Sequence, residues 1–196
     1  MTDNLIATLK FAELLNQFRQ VTRVVRVNGE ERWENDVEHS YQLVMLAWYL
    51  VDSLKLDLDK DLVTRYALVH DLVEVYAGDS YAYGDKRSDK DQRERDALEQ
   101  LMKNFAEFPD LSLMIKNYVS RQDQESKFVY ALDKLQPMIN IYLDQGRTWQ
   151  EKQISLQMII DYKKDKVEVS PVVQKLFEGL VEELTSQEKK LFNPHV

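Results

Sequence analysis

The chain has no cysteine among its 196 residues. Disulfides, thiolate metal sites and cysteine nucleophiles are therefore excluded, and a reducing, cytoplasmic setting is the expected one. Glycine (5) and proline (4) are scarce, so little punctuates the chain. No apolar run is long enough to cross a bilayer. The opening stretch, MTDNLIATLKFAELL, lacks the basic start, long apolar core and small-residue cleavage site of a secretory signal. Positive charge is also in short supply: 26 Lys and Arg face 34 Asp and Glu, a net −8. That argues against a nucleic-acid polymer as partner, because such binding needs clustered cations. A small phosphorylated ligand stays compatible, since a pocket can be locally positive in an acidic protein.

What is present is helical periodicity. Apolar residues recur at three- and four-residue spacing almost throughout, which predicts an all-α chain folded as a single helical bundle of about eight helices. The pattern places them near 3–18, 36–55, 59–77, 88–106, 110–121, 124–145, 148–164 and 169–186. Asp36 reads as a cap for the second and Gly78 as the stop of the third. Pro137, inside ALDKLQPMINIYL, is expected to bend its helix. Residues 19–35 and 78–87 read as irregular loops of the kind that carry function. Trp48 and Trp149 read as core or helix-contact residues. Lys86, Arg87 and Arg93 read as a solvated face, and Tyr81 and Tyr83 as residues flanking a site loop.

The chemistry concentrates in YALVHDLVEVYAGDS, residues 66–80. The chain has three histidines. His195 lies next to the C-terminal residue, whereas His39 and His70 both lie in strongly apolar helices. On an ideal helix His70 and Glu74 share a face, with Asp71 about 100° around from His70. A second helix can bring His39 to the same point. Two imidazoles and nearby carboxylates form a good divalent-metal constellation, and a metal would supply the cation that a buried Asp71 needs. Asp133, in FVYALDKLQPMINIYL, is a fourth candidate. Taken singly, each of these residues is more simply a hydrogen-bonded core group, and Asp133 can pair with Lys134. Taken together, the order His, His-Asp, Asp on three apolar helices points to one metal site.

This pattern resembles the HD-domain metal-dependent phosphohydrolase superfamily, in the branch of the bacterial 5'-deoxynucleotidases. ENDVEHSYQLVMLAWYL is similar to that branch's first ligand helix, ALVHDLVEVYAGDSYAY to its HDxxExxxGD segment, and ALDKLQPMINIYLDQGRTWQE to its Asp helix and GRxW turn. The likeness covers about residues 5–165, and the helix at 169–186 reads as packing on that single domain. It implies that His39, His70, Asp71 and Asp133 hold one divalent metal, that Glu74 is the catalytic carboxylate with Asp79 the second acid behind it, and that Glu38 lies near the site. The family's phosphate-binding arginine falls among Arg19, Arg23, Arg26 and Arg32, with Arg23 the first candidate and Arg19 the second.

Two-metal members need further histidines, and only His195 is spare, so one ion is expected. A His₂Asp₂ set suits Mn, Co, Fe, Ni or Zn better than Mg or Ca. The implied reaction removes the 5'-phosphate from a (deoxy)nucleoside monophosphate by attack of a water that the metal activates. The alternatives are a nucleoside triphosphate or another small phosphate ester as substrate, or a non-catalytic nucleotide-binding module. The resemblance also implies a homodimer.

Overall fold

The structure, a computed structural model, describes residues 2–78 and 90–192. Asp79, Tyr81, Tyr83, Lys86, Arg87 and His195 lie outside the described residues. Among the described residues the chain is all-α apart from one small two-stranded sheet. Its first helix, α1, spans Asp3–Phe18, followed by β1 (Thr22–Arg26), β2 (Trp33–Asn35) and α2 (Asp36–Ser53). Next come α3 (Lys60–Val69), α4 (Glu74–Ala77), α5 (Lys90–Asn104), α6 (Pro109–Ser120) and α7 (Gln124–Leu143). The chain continues through α8 (Arg147–Glu151), α9 (Leu156–Val167), α10 (Pro171–Ser186) and α11 (Glu188–Phe192).

The helix starts follow from local chemistry. Asn35, rather than Asp36, caps α2: its side chain accepts from the backbone N–H groups of Val37 and Glu38, and Glu38 reaches back to the N–H of Asn35. This is a capping box, which satisfies two orphan donors at once. Asp59 and Asp123 cap α3 and α7 by accepting from backbone N–H groups of the first turn, without the reciprocal bond. On α2 the buried positions include His39, Leu43, Ala47, Leu50 and Val51, one stripe at helical spacing. A metal-ligand candidate thus lies on the face that drives the helix into the core. Helix α7 is buried on nearly all sides and runs through Pro137 without interruption. Trp149 is buried and stacks on Phe192 at 4.8 Å. Trp48 is exposed, so the expectation that it packs in the core does not hold.

Two apolar clusters meet at the site. The larger joins α2, α3, α7, α9 and α10 through residues such as Leu43, Tyr66, Leu132, Ile159 and Phe177. The smaller joins α1, α5 and α6 through Leu14, Phe18, Leu101, Phe105 and Ile115. Tyr66 and Ala67 belong to the first, and Val69, Leu72 and Val73 to the second. His70 and Asp71 therefore sit on the seam between two packed units.

Three expected elements take another form, and one of them, the helix near 148–164, divides into α8 and α9. Residues 19–35 are not an irregular loop, because β1 and β2 pair antiparallel. Thr22 faces Asn35 and Arg26 faces Trp33, so three residues of β1 (23–25) oppose Glu34 alone. Such a bulge re-aims side chains. The expected single helix over 59–77 also breaks. Leu72, Glu74, Val75 and Tyr76 donate to carbonyls three residues back, tightening the turn. The ring Nδ1–H of His70 donates to Ala67 O at 2.9 Å. In a continuing helix that carbonyl would receive the Asp71 N–H, so the histidine competes with the helix it ends.

Candidate metal centre

Two helices and one turn bring the predicted ligands together. His39 comes from the first turn of α2, His70 and Asp71 from the break after α3, and Asp133 from the middle of α7. One ligand atom from each of the four lies within 4.8 Å of all the others. His39 Nε2 is 3.0 Å from Asp133 Oδ1 and 3.8 Å from Asp71 Oδ2. His70 Nε2 is 2.9 Å from Asp71 Oδ2 and 3.7 Å from Asp133 Oδ1.

The donor set fits a divalent ion. Ligand atoms each about 2.1 Å from one ion sit roughly 3–3.5 Å apart, close to the spacings here. His70 Nε2 is buried, faces Asp71 Oδ2, and makes no hydrogen bond. With Nδ1–H committed to Ala67, Nε2 carries the lone pair and points it inward. A buried ring nitrogen without a hydrogen bond, facing a carboxylate, is what a metal would satisfy.

The surrounding charges favour the ionised ligands. Burial works against the Asp133 carboxylate, but Lys134 and the two imidazoles outweigh it and hold its pKa well below the usual carboxylate range. Asp71 is also held below that range, against burial, by His70 and Arg23. Burial and Arg23 oppose a charged His39, yet Asp133 and Glu34 raise its pKa overall. Glu34 Oε1 stands 3.6 Å from His39 Nδ1, behind the ring and away from Asp133. A carboxylate there orients a ligating imidazole and makes it more basic.

Among the arginine candidates, Arg23 reaches this centre. Its Nη1 donates to Asp71 Oδ2 at 2.7 Å and to Asp36 Oδ1 at 3.1 Å, and its Nε lies 3.4 Å from Glu34 Oε1. Arg19 is exposed at the end of α1. Arg26 stacks on Trp33 at 4.2 Å and pairs with Glu151. Arg32 pairs with Glu38 at 2.8 Å, which, with the capping box, gives Glu38 two structural partners. Glu74 opens α4, is buried, and lies within 4.8 Å of Asp71 and Asp36 through its nearest oxygens.

The sequence reading did not single out Glu34, Asp36 as a buried acid, Tyr118 or Lys163. The Tyr118 ring meets His70 edge-on at 6.1 Å, and burial, then Asp133 and Asp71, push its hydroxyl pKa up. The N-x-x-E spacing of Asn35 and Glu38 was the available signal that Asp36 is not the cap. For Glu34 the signal was its place between Trp33 and Asn35, in a strand too short to read by alternation.

Known proteins resemble this chain in sequence and fold. The HD domain family matches residues 15–174. Human 5'-deoxynucleotidase HDDC2 is 27% identical over 191 residues, covering 95% of this chain and 91% of the human one. Its mouse counterpart is 30% identical over 135 residues, covering 67% and 66%. A crystal structure described as a predicted metal-dependent phosphohydrolase, from Magnetospirillum magnetotacticum, superposes with a TM-score of 0.80 at 26% identity and covers 93% of both chains. A conserved hypothetical protein from Pyrococcus furiosus shares the fold at a TM-score of 0.66 and 20% identity, over 91% of this chain and 99% of that one. With the match spanning most of the chain and the His39, His70, Asp71 and Asp133 side chains gathered at one point, the chain belongs to the HD domain family.

Proposed function

We propose that this protein is a metal-dependent phosphohydrolase that removes the 5'-phosphate from nucleoside monophosphates, deoxynucleotides foremost. The observation that carries the reading is the convergence of the four ligands with Glu74 and Arg23 at their edge. The likeness to proteins named 5'-deoxynucleotidase supports the substrate class.

His39, His70, Asp71 and Asp133 would hold the ion, one of Mn, Co, Fe, Ni or Zn by donor type. When bound, it supplies positive charge for the phosphate oxygens and acidifies the attacking water. The Arg23 guanidinium, beside Asp71, offers N–H donors to a phosphate oxygen at the same point. Arg19, at the end of α1, is the second arginine of this reading, and Glu38 flanks the site from α2. Glu74 takes a proton from water as its oxygen attacks phosphorus. The bond from phosphorus to the 5'-oxygen breaks, and that oxygen leaves with a proton from the acid pair of Glu74 and Asp79. The products are a nucleoside and inorganic phosphate. A single domain, a homodimeric state and a cytoplasmic location belong to the same proposal. Sedimentation velocity at two concentrations tests the dimer.

The experiment is phosphate release from a panel of ribo- and deoxynucleoside mono- and triphosphates. Metal-stripped protein receives each ion in turn, with Asp71→Ala as control. Release from monophosphates that requires both metal and Asp71 is the expected result. No release from metal-loaded protein would overturn the reading, and release from triphosphates alone would move it to a different substrate.

A further inference from the structure

The motif GRTW, residues 146–149, follows the helix that carries Asp133. Helix α7 closes in a Schellman motif: the Gln145 N–H donates to Tyr142 O at 3.0 Å and the Gly146 N–H to Ile141 O at 2.8 Å. Gly146 has φ +77°, and a side chain there would strike Leu191 O, so the turn is seated tightly against α11.

From that turn Arg147 reaches the loop of the β1–β2 hairpin. Its Nη2 donates to Val27 O at 3.3 Å and to Glu30 O at 2.5 Å, and its Nη1 to Glu31 Oε1 at 3.0 Å. Asp144 works beside it. One carboxylate oxygen accepts from Arg147 Nε at 2.8 Å, and the other accepts from the Gly29 N–H at 3.0 Å. The Asp144 side chain is only 8% exposed. Two side chains of one turn thus grip the loop at Val27, Gly29 and Glu30.

The hairpin needs such a grip. A two-stranded ribbon is marginal on its own, and the register shifts between Thr22 and Arg26. Arg23 lies inside that shift, so pairing with β2 does not by itself fix its guanidinium. At the base of the ribbon Val21 O accepts from the Asp36 N–H at 3.1 Å. At the far end the ribbon rests on α7 and α8, where Asp144 and Arg147 hold it. Helix α7 therefore carries Asp133 in its middle and, at its end, the anchor of the strand that bears Arg23.

We propose that Arg147 is a positioning residue for the metal centre: with Asp144 it clasps the hairpin loop onto the end of α7, and so holds Arg23 beside Asp71 where it meets phosphate. The inference rests on the reading of Arg23 as the phosphate contact, and its test reads the position of the guanidinium separately from its use.

The test compares Zn²⁺-loaded wild type, Arg147→Ala and Asp144→Asn. Nuclear magnetic resonance follows hydrogen exchange of the Arg23 Nε–H, identified by its absence in Arg23→Lys. Loss of the charged hydrogen bonds of Arg147 should speed that exchange by about tenfold or more, together with the amides of 22–35. Amides of α2 and α7 should keep their rates. Calorimetry with inorganic phosphate should show an affinity lower by about tenfold in Arg147→Ala, and a much smaller loss when the same change is made in Arg23→Lys, because coupled residues are not additive. Asp144→Asn should move both readings in the same direction, and it carries the test if Arg147→Ala does not fold. Unchanged Arg23 Nε–H exchange in both variants would overturn the proposal. So would faster exchange spread equally through α2 and α7, or an equal loss of phosphate affinity in both backgrounds. A wild type without affinity for phosphate would count against the proposed function instead. The Arg23 signal, which needs no phosphate, then decides alone: faster exchange in Arg147→Ala supports the clasp, and unchanged exchange overturns it.

Discussion

Asp133 divides its carboxylate between two neighbours. Oδ1 faces the imidazoles, 3.0 Å from His39 Nε2, while Oδ2 lies 2.5 Å from the ammonium of Lys134, the next residue in the chain. Burial disfavours the Lys134 cation, but Asp133 and Asp71 reverse this and raise its pKa. Lys134 thus fixes the rotation of the Asp133 carboxylate, a candidate metal ligand, and keeps it ionised. Lys134→Met should weaken metal binding by about tenfold or more, as removal of outer-shell partners usually does. Calorimetric titration of stripped protein reads this directly, and an unchanged affinity would show the ion pair to be incidental.

Glu74 is buried at the edge of the ligand group rather than inside it. Glu74→Gln keeps its volume and removes its ability to accept a proton. Turnover should fall by roughly 10²–10⁴, the range for a lost general base. Metal content by elemental analysis should stay at the wild-type level. A joint loss of metal and activity would instead make Glu74 a ligand.

Metal binding should also stabilise the fold. An ion at one hundred times its dissociation constant adds about 2.7 kcal/mol. Thermal unfolding of wild type should move upward with added Mn. That of Asp71→Asn should stay flat, because the substitution takes a carboxylate out of the four-residue group. An equal shift in both proteins would place the stabilising ion elsewhere.

Lys163 carries a pH dependence of its own. It sits on α9, is 7% exposed, and among the described residues no carboxylate pairs with it. Burial, then the positive charge of Lys134, lowers its pKa to about 7. An unfolded lysine titrates near 10.4, so between these values the unfolded chain binds the extra proton. Stability should therefore rise as pH climbs from about 7 toward 10 and decline as pH falls back through 7. Lys163→Met should flatten that rise and increase the unfolding free energy at pH 7. Urea unfolding at pH 7 and 9 measures both, and parallel pH dependence in the two proteins would contradict the assignment.

The grouping of His39, His70, Asp71 and Asp133 was legible because these residues are out of place. His39 lies on an otherwise apolar helix stripe, and Asp133 interrupts a helix buried on nearly all sides, so each stands out against its neighbours. Residues that act through the hairpin were not legible. Strands of five and three residues are too short to show alternation, and the bulge that sets Arg23 opposite Glu34 depends on pairing the sequence does not display. Arg23 led the four arginines before the structure set it against Asp71, but its three carboxylate partners lie 11 to 48 positions away. Lys163 was hidden for the opposite reason. Nothing in DYKKDKV, at the end of the helix expected near 148–164, singles out one lysine, and the packing of α9 on α7 buries Lys163.

The bond from His70 Nδ1 to Ala67 O has a consequence for how the centre assembles. It ends a helix, chooses a tautomer and aims Nε2 inward in a single step, and all of this is complete once the chain has folded. An arriving ion therefore meets an imidazole whose orientational freedom is already spent. Capture at this position should be a search for a finished socket, with its rate set by access and by departure of the ion's own waters, rather than by rearrangement of the ring.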